Sequence, residues 1–142
     1  MKQIAVICFA NYCRSPVAEK LLSKKFEKNL IFKSFGIQPK VDSMMDSRSQ
    51  KFLKENGIDT HHFPRKVSNE ILENSKCVLC MDHFVLTLLN KGFPKYMNKF
   101  KLFTFKSPGL NIEDPYRLSD EKYLIVMNKI ISVCEKLEIN DF

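Results

Sequence analysis

The sequence predicts an α/β fold: a four-stranded parallel sheet with helices on both faces and a ligand-binding loop after the first strand. Four short apolar runs of strand length alternate along the chain with segments whose apolar residues recur at helical spacing. Since no repeat, low-complexity segment or linker interrupts this alternation, residues 1–142 are expected to form a single domain.

The strands are predicted at residues 4–8, 31–35, 77–81 and 101–105. The first run is short and apolar throughout, as is typical of a parallel strand that is buried on both faces. The fourth strand is expected to be more exposed than the others. In such a sheet a ligand binds at the carboxyl ends of the strands, beside the first turn of a helix.

Polar residues mark where the predicted helices begin. Ser15 is expected to cap the first helix, with Pro16 at its first position. Asp46 is expected to cap a second helix that runs to Asn56, and Gly57 follows it as a left-handed C-cap.

The second half of the chain contains three further predicted helices. Ser68 begins a short one, and the next runs from about residue 83 to residue 91, ending at Gly92 and Pro94. Ser119 caps the last helix. Its predicted apolar face consists of Tyr123, Leu124, Met127, Ile130, Ile131, Cys134 and Leu137.

The charge balance favours anionic partners. Lys and Arg together number 23 against 16 Asp and Glu, giving a net charge of +7, which attracts anionic substrates. The basic residues are scattered rather than clustered, so no nucleic-acid partner is indicated. No apolar run is long enough to span a membrane, and the N-terminus lacks the apolar segment of a signal peptide. The expected location is cytoplasmic.

The five cysteines do not indicate a disulfide framework, because their number is odd and no secretion signal accompanies them. Cys77 and Cys80 have the spacing of a zinc-binding pair, but they lie within a continuous apolar run. They are interpreted as core residues of a buried strand. No metal site and no cofactor are predicted.

The candidate reactive residues lie in the segment 8–16, which reads Cys-Phe-Ala-Asn-Tyr-Cys-Arg-Ser-Pro. Cys8 and Arg14, six positions apart, can close a loop around a tetrahedral oxyanion, which backbone N–H groups, a helix N-terminus and the guanidinium would bind. The same donors favour the charged thiolate of Cys8. A thiolate attacks phosphorus and forms a phosphocysteine, and Ser15 can donate a hydrogen bond to the sulfur when it leaves.

This loop resembles the signature of the low-molecular-weight protein tyrosine phosphatases of the bacterial type, Cys-x-Gly-Asn-x-Cys-Arg-Ser-Pro. The resemblance extends over essentially the whole chain. The further matches, in the family's order, are Ser34-Phe35-Gly36, Gly57-Ile58, His62 with Arg65, Leu79-Cys80-Met81-Asp82 and Asp114-Pro115-Tyr116.

The resemblance implies a phosphotyrosine phosphatase in which Cys8 is the nucleophile, Arg14 the phosphate clamp and Asp114 the general acid. A phenolate is a poor leaving group near neutral pH, so the chemistry itself also requires a proton donor such as Asp114. Ser34 and His62 are expected to support the loop, as does Asn11. Phosphate or substrate is expected to contact Phe9, Ala10, Asn11, Tyr12, Cys13, Ser15 and Tyr116.

The implied partner is a phosphotyrosine-containing protein, which in bacteria is often a tyrosine kinase of surface-polysaccharide assembly, and the implied product is inorganic phosphate. Related phosphoarginine phosphatases carry threonine where this chain has Tyr12, and the bulk of Tyr12 favours phosphotyrosine. Three alternatives stay open: a phosphoarginine phosphatase, an arsenate reductase of the same fold and a non-catalytic phosphate-binding module. Arsenate reduction is disfavoured because Thr87 stands where a second additional cysteine would be needed.

Two departures from the family pattern, and one cysteine that matches it, also generate expectations. Ala10 replaces the usual glycine and would be strained if its φ were positive. Phe9 or Met44 is expected to replace the aromatic residue that lines the second pocket wall in many relatives. Cys13 is expected to trap an oxidised Cys8 as a disulfide, which would make the enzyme redox-sensitive.

Overall fold

The computed structural model describes residues 3–142, whose strands form a four-stranded, entirely parallel sheet in the order β2-β1-β3-β4. The predicted fold class is confirmed. β1 is central and pairs with both β2 and β3, so the residues at its end are flanked on two sides. The strands are β1 (Gln3–Cys8), β2 (Phe32–Gly36), β3 (Ser75–Cys80) and β4 (Phe100–Leu102).

In the part of the chain that the structure describes, five α-helices connect or follow these strands, close to their predicted positions. A 3-10 turn at 94–99 precedes β4, and another at 139–141 lies near the C-terminus. The helices are α1 (Ser15–Lys25), α2 (Ser47–Glu55), α3 (Asn69–Glu73), α4 (His83–Gly92) and α5 (Asp120–Lys136).

The predicted caps at Asp46, Ser68 and Ser119 are confirmed, since each side chain accepts a hydrogen bond from a backbone N–H in the first turn of its helix. Gly57 follows α2 with a φ of 68°, the left-handed conformation predicted for it. The prediction for Ser15 is wrong. Arg14 occupies the cap position of α1 without a side-chain cap, because the Ser15 hydroxyl is directed to partners inside the loop.

Successive residues of β1 point to opposite faces of the sheet, and both faces are covered. Ile4 and Val6 pack in a cluster with residues of α1, α2 and α5, whereas Ala5 and Ile7 pack in a second cluster with residues of α3 and α4. All four side chains are fully buried. This burial on both sides explains why β1 is apolar throughout rather than alternating.

Cys77 and Cys80 are buried on opposite faces of β3, one in each cluster. Two side chains separated by the sheet cannot bind one metal ion, so their interpretation as core residues is confirmed. Burial raises the pKa of the Cys80 thiol to about 12, which keeps it protonated.

Two further details of the prediction are wrong. β4 ends at Leu102, because the backbone turns from residue 103 onward, although Phe103 itself is fully buried. Leu124 lies on the exposed side of α5, with 49% of its surface accessible, so the apolar face of that helix is narrower than predicted. Within residues 3–142, no helix is long and apolar enough to cross a membrane.

The topology brings the ends of three strands together. Cys8 is paired with Gly36 at the end of β2, and the adjacent Ile7 is paired with Cys80 at the end of β3. The loop from residue 8 to residue 15 therefore begins at the central position of the sheet's carboxyl edge and ends at the N-terminus of α1.

Candidate active site

The segment after β2 determines how the backbone of the loop 8–15 is oriented. The backbone N–H groups of Ile37, Gln38 and Lys40 donate to the carbonyls of Cys8, Phe9 and Ala10 at 3.3, 2.9 and 3.0 Å. Because these carbonyls point outward to a neighbouring segment, the loop's own N–H groups are free to face its centre. This is the arrangement of an anion-binding nest.

Asn11 holds the loop from within. It is fully buried and has a φ of 51°, a left-handed conformation that asparagine tolerates better than most residues. Its Nδ2 donates to Ser15 Oγ at 2.8 Å and to Ser34 Oγ at 3.0 Å. Its Oδ1 accepts from the Arg65 backbone N–H at 2.9 Å and lies 2.9 Å from His62 Nε2.

These contacts determine which atom donates in the hydrogen bonds that lead from the Arg65 backbone through Asn11 and Ser15 to the Cys8 sulfur. A backbone N–H can only donate, so the atom of Asn11 that faces Arg65 must be the oxygen, and the amide nitrogen must face Ser15. Ser15 Oγ accepts from the amide and lies 2.9 Å from Cys8 Sγ, and towards a Cys8 thiolate, which can only accept, the hydroxyl is the donor. The arrangement therefore supplies one oriented O–H donor to the Cys8 sulfur.

His62 is neutral in this setting. It is buried, and burial together with the nearby positive charge of Arg65 lowers its pKa to about 4. Since Asn11 Oδ1 can only accept, the Nε2 of the neutral ring must carry the hydrogen. The adjacent His61 is exposed, packs edge-on against the Phe63 ring and makes no contact of this kind.

A buried carboxylate supports the loop from α1. Glu19 accepts from the Ser34 backbone N–H at 2.6 Å and from Arg65 Nη2 at 3.0 Å. Arg65 Nε also donates to the Ser34 carbonyl at 3.0 Å. Glu19 and Arg65 thus hold the two residues, Ser34 and Asn11, that determine the shape of the loop.

Arg14 is 3% exposed and is held at its Nη1, which donates to Asp82 Oδ2 and to the Ile112 carbonyl, both at 2.7 Å. Burial acts to lower the pKa of Arg14, but the negative charges of Cys8 and Asp82 outweigh it and raise that pKa. Because both bonds use Nη1, the rest of the guanidinium fork remains available to a bidentate anion.

The loop forms the floor of a cavity of about 290 Å³. Asp114 and Tyr116 reach this cavity from the segment before α5, so the predicted acid and the predicted nucleophile share one space. The rings of Tyr12 and Tyr116 meet edge-to-face with their centroids 5.8 Å apart. The lining consists of Cys8, Phe9, Ala10, Tyr12, Cys13, Arg14, Lys40, Asp114 and Tyr116.

The structure bears on two expectations about the cavity. Ala10 does not adopt a positive φ, because the left-handed residue of the loop is Asn11, so the alanine adds no strain of that kind. Of the two residues expected to replace the missing aromatic, Phe9 lines the cavity, and Lys40 lines it as well. Lys40 Nζ lies 5.3 Å from the centre of the Tyr12 ring.

Cys13 is buried at the edge of this cavity. Its Sγ lies 3.8 Å from Asp46 Oδ2, and its carbonyl accepts from Ser49 Oγ at 2.8 Å. Ser49 Oγ is in turn hydrogen-bonded to the Tyr123 hydroxyl. Burial, reinforced by the negative charge of Asp46, raises the pKa of Cys13 to about 12, so its thiol is protonated.

Sequence reasoning gave no role at the site to several residues that the structure places there. Asp82 could have been found from its position in the matched segment 79–82, since a carboxylate directly after a buried strand is a suitable partner for a buried arginine. The others, whose contacts are made across the fold and leave no local signal, are Glu19, Lys40 and Arg48.

Comparison with known proteins agrees with the family resemblance that the sequence motifs indicate. The family model described as "Low molecular weight phosphotyrosine protein phosphatase" matches residues 3–140. The low molecular weight protein-tyrosine-phosphatase Ptp of Acinetobacter johnsonii is 30% identical, with 94% of this chain and 92% of that protein covered.

Two solved structures are similar in fold. The tyrosine phosphatase Wzb of Escherichia coli K30, in complex with sulphate, has a TM-score of 0.87 and 28% identity, covering 96% of each chain. The YwlE arginine phosphatase of Geobacillus stearothermophilus has a TM-score of 0.87 and 25% identity, covering 95% of this chain and 89% of the other.

The neutral state of His62 predicts a specific pH dependence of stability. The pKa of about 4 in the folded protein lies below the ordinary value of 6.5, so protons bind preferentially to the unfolded chain. Above about pH 6.5 the neutral His62 contributes up to about 3 kcal/mol to the free energy of unfolding. This contribution is lost as the pH falls towards 4. His62→Gln, which keeps an amide donor but does not titrate, should flatten the unfolding free energy over this range in urea titrations. His61→Gln is the control, and a His62→Gln curve parallel to the wild type would contradict the assignment.

Gly36 is predicted to be required beneath the loop because no side chain fits there. A Cβ at this position would lie 2.9 Å from Asn11 Cβ and 2.9 Å from the Phe9 carbonyl oxygen. Gly36→Ala should therefore lower the melting temperature and weaken inorganic phosphate binding about tenfold or more, measured by calorimetry. Gly92→Ala, where a Cβ meets open space, should do neither. Equal phosphate affinities of the two variants would refute the packing argument.

Proposed function

This chain belongs to the low molecular weight phosphotyrosine protein phosphatases, and from that premise we propose that Cys8, Arg14 and Asp114 hydrolyse phosphotyrosine in proteins. The single observation that supports this most is the oriented Ser15 hydroxyl 2.9 Å from the Cys8 sulfur, at the floor of a cavity shared with Arg14 and Asp114. A phosphate-binding module would have no use for a donor aimed at a cysteine sulfur.

In the first step the phosphate occupies the loop, bound by its N–H groups and by the free part of the Arg14 fork. The Cys8 thiolate attacks phosphorus, an S–P bond forms and the P–O bond to the tyrosine breaks. Asp114, in its protonated form, transfers its proton to the departing phenolate oxygen. The negative charge that develops on the transferred phosphoryl group is stabilised by donors that are already in place.

In the second step the Asp114 carboxylate takes a proton from a water molecule, whose oxygen attacks the phosphorus of the phosphocysteine. The S–P bond breaks, inorganic phosphate leaves and the thiolate returns. The Ser15 O–H stabilises that thiolate as a leaving group, which is the role that its orientation supports. The residues of this chain thus supply every proton transfer in the cycle.

The lining of the cavity favours a phenyl ring over a guanidinium. Tyr12 and Tyr116 present two aromatic surfaces that can pack against a flat ring. Lys40 adds a positive charge near the Tyr12 ring, and this charge repels a cationic guanidinium. The similarity to the arginine phosphatase YwlE keeps phosphoarginine as the second candidate, because the fold is shared by both activities.

An arsenate reductase is less well supported. Passing a disulfide outward from Cys8 needs accessible, ionisable thiols. Cys80 is fully buried with its pKa raised to about 12, and Thr87 donates to the His83 carbonyl on the surface of α4.

The partners follow from the reaction. The substrate is a phosphotyrosine-containing protein, for which a bacterial tyrosine kinase is a candidate, and inorganic phosphate is released. We also propose a cytoplasmic location, because the five cysteines of the chain are free and the reaction needs a reduced Cys8.

Steady-state hydrolysis of a phosphotyrosine peptide and of a phosphoarginine peptide, in reductant and chelator, tests the proposal. The wild type should turn over phosphotyrosine, Cys8→Ser should lose all measurable activity, and Asp114→Asn should lose about 100-fold or more in kcat/KM. Cys77→Ser, a change of the same kind in the core, is the control and should retain activity. Turnover of phosphoarginine alone would establish the second candidate, and turnover of neither would refute the proposed function.

A redox-sensitive Cys8 is proposed from its reactivity and its neighbour Cys13. Peroxide would oxidise Cys8 to a sulfenic acid, and condensation with the Cys13 thiol would give a disulfide and water. Because the Cys13 pKa is raised to about 12, we expect this trapping to be slow. Mass spectrometry after mild peroxide should find a Cys8–Cys13 disulfide that Cys13→Ser abolishes. Sulfinic Cys8 without that disulfide would contradict the proposal.

A further inference from the structure

Arg48, on the first turn of α2, contacts the segment that carries Asp114, which we call the acid loop (residues 112–119). Its Nη2 donates to the Tyr116 carbonyl and its Nη1 to the Leu118 carbonyl, both at 2.9 Å. A planar guanidinium that binds two carbonyls of one turn fixes both the position and the orientation of that turn.

The other edge of the same guanidinium is bound to the phosphate-binding loop through Asp46. Arg48 Nε and Nη2 donate to the two carboxylate oxygens of Asp46 at 3.1 Å each. Asp46 is buried, and its backbone N–H donates to the Tyr12 carbonyl at 3.0 Å. The guanidinium also lies 4.0 Å from the centre of the Tyr123 ring, which restricts its plane.

Tyr116 connects Arg48 to the acid. Its carbonyl accepts from Arg48, and its N–H donates to Asp114 Oδ1 at 3.1 Å. The other end of the acid loop is held by Arg14, which donates to the Ile112 carbonyl. The acid loop is therefore held by an arginine at each end.

We infer that Arg48 is a positioning residue for the general acid, a role that rests on the proposed function and extends it. Asp114 is exposed, so packing does not fix its carboxyl group. The Arg48 fork, by joining the acid loop to Asp46, sets the acid over the phosphate that the neighbouring loop binds. Proton transfer depends steeply on such geometry, so loss of the fork should impair protonation of the leaving group more than any other step.

The test uses substrates that differ in how much they need an acid. Phenyl phosphate and phosphotyrosine release a weakly acidic phenol, whereas p-nitrophenyl phosphate releases a nitrophenolate that departs with little help. For Arg48→Ala, kcat/KM should fall about tenfold or more on the first two substrates and less than about threefold on the third. Arg48→Lys keeps the charge but not the fork, and should show the same selective loss.

Arg65→Ala is the matched control. Arg65 is also a forked arginine that holds a backbone carbonyl and a carboxylate, but its contacts are with Ser34 and Glu19 rather than with the acid loop. Its variant should lower kcat/KM by similar factors on all three substrates. Melting temperatures measured in the assay buffer show whether each variant is folded. If Arg48→Ala is not folded, the comparison is made with Arg48→Lys.

A double variant gives the second readout. If Arg48 acts through Asp114, adding Arg48→Ala to Asp114→Asn should lower phenyl phosphate turnover by less than about twofold further. Multiplicative losses, or an Arg48 defect equal on all three substrates, would overturn the inference while leaving the proposed function intact. A wild type that hydrolyses none of these substrates would overturn both.

Discussion

The side-chain amide of Asn11 connects the phosphate-binding loop to three separate parts of the fold. Its nitrogen binds Ser15 at the start of α1 and Ser34 in β2, while its oxygen binds the backbone at Arg65 and the ring of His62. A left-handed φ at a non-glycine residue is costly and persists only where the surroundings determine it. The shape of the loop is therefore a property of the whole sheet edge rather than of the nine residues in its motif.

Two arginines, Arg14 and Arg48, place positive charge around this loop. Arg14 is buried against Asp82 and a carbonyl, so its position is fixed before any anion arrives. Arg48 is partly exposed and binds Asp46 and two carbonyls of the acid loop. In the proposed mechanism the first arginine binds the substrate's phosphate, and the second holds the loop of the residue that protonates the leaving oxygen. Preorganisation of this kind removes the cost of reorienting dipoles during the reaction.

The sequence predicted those features whose residues are close together in the chain. The alternation of strands and helices, three of the caps and the Cys8–Arg14 loop are local patterns. Such patterns can be recognised in a single sequence. The roles of Glu19 and Arg48 could not be predicted, because they depend on partners 15 to 70 residues away in the chain. Ser15 has the sequence pattern of a cap, because a serine before a proline normally caps a helix, and only its contacts with Cys8 and Asn11 reveal its different use.

The order of the contributing residues along the chain has a consequence for how the protein matures during synthesis. Cys8 is made early, but the groups that shape its environment come much later: Ser34, then residues 62–65, then Asp82 and finally Asp114. A ribosome-bound chain that ends before residue 65 lacks the backbone donor that orients Asn11, and so lacks the aligned hydroxyl at the sulfur. The full set of contacts around Cys8 thus arises only after most of the chain has been translated and folded, so in the proposed mechanism the growing polypeptide has no complete active site until then.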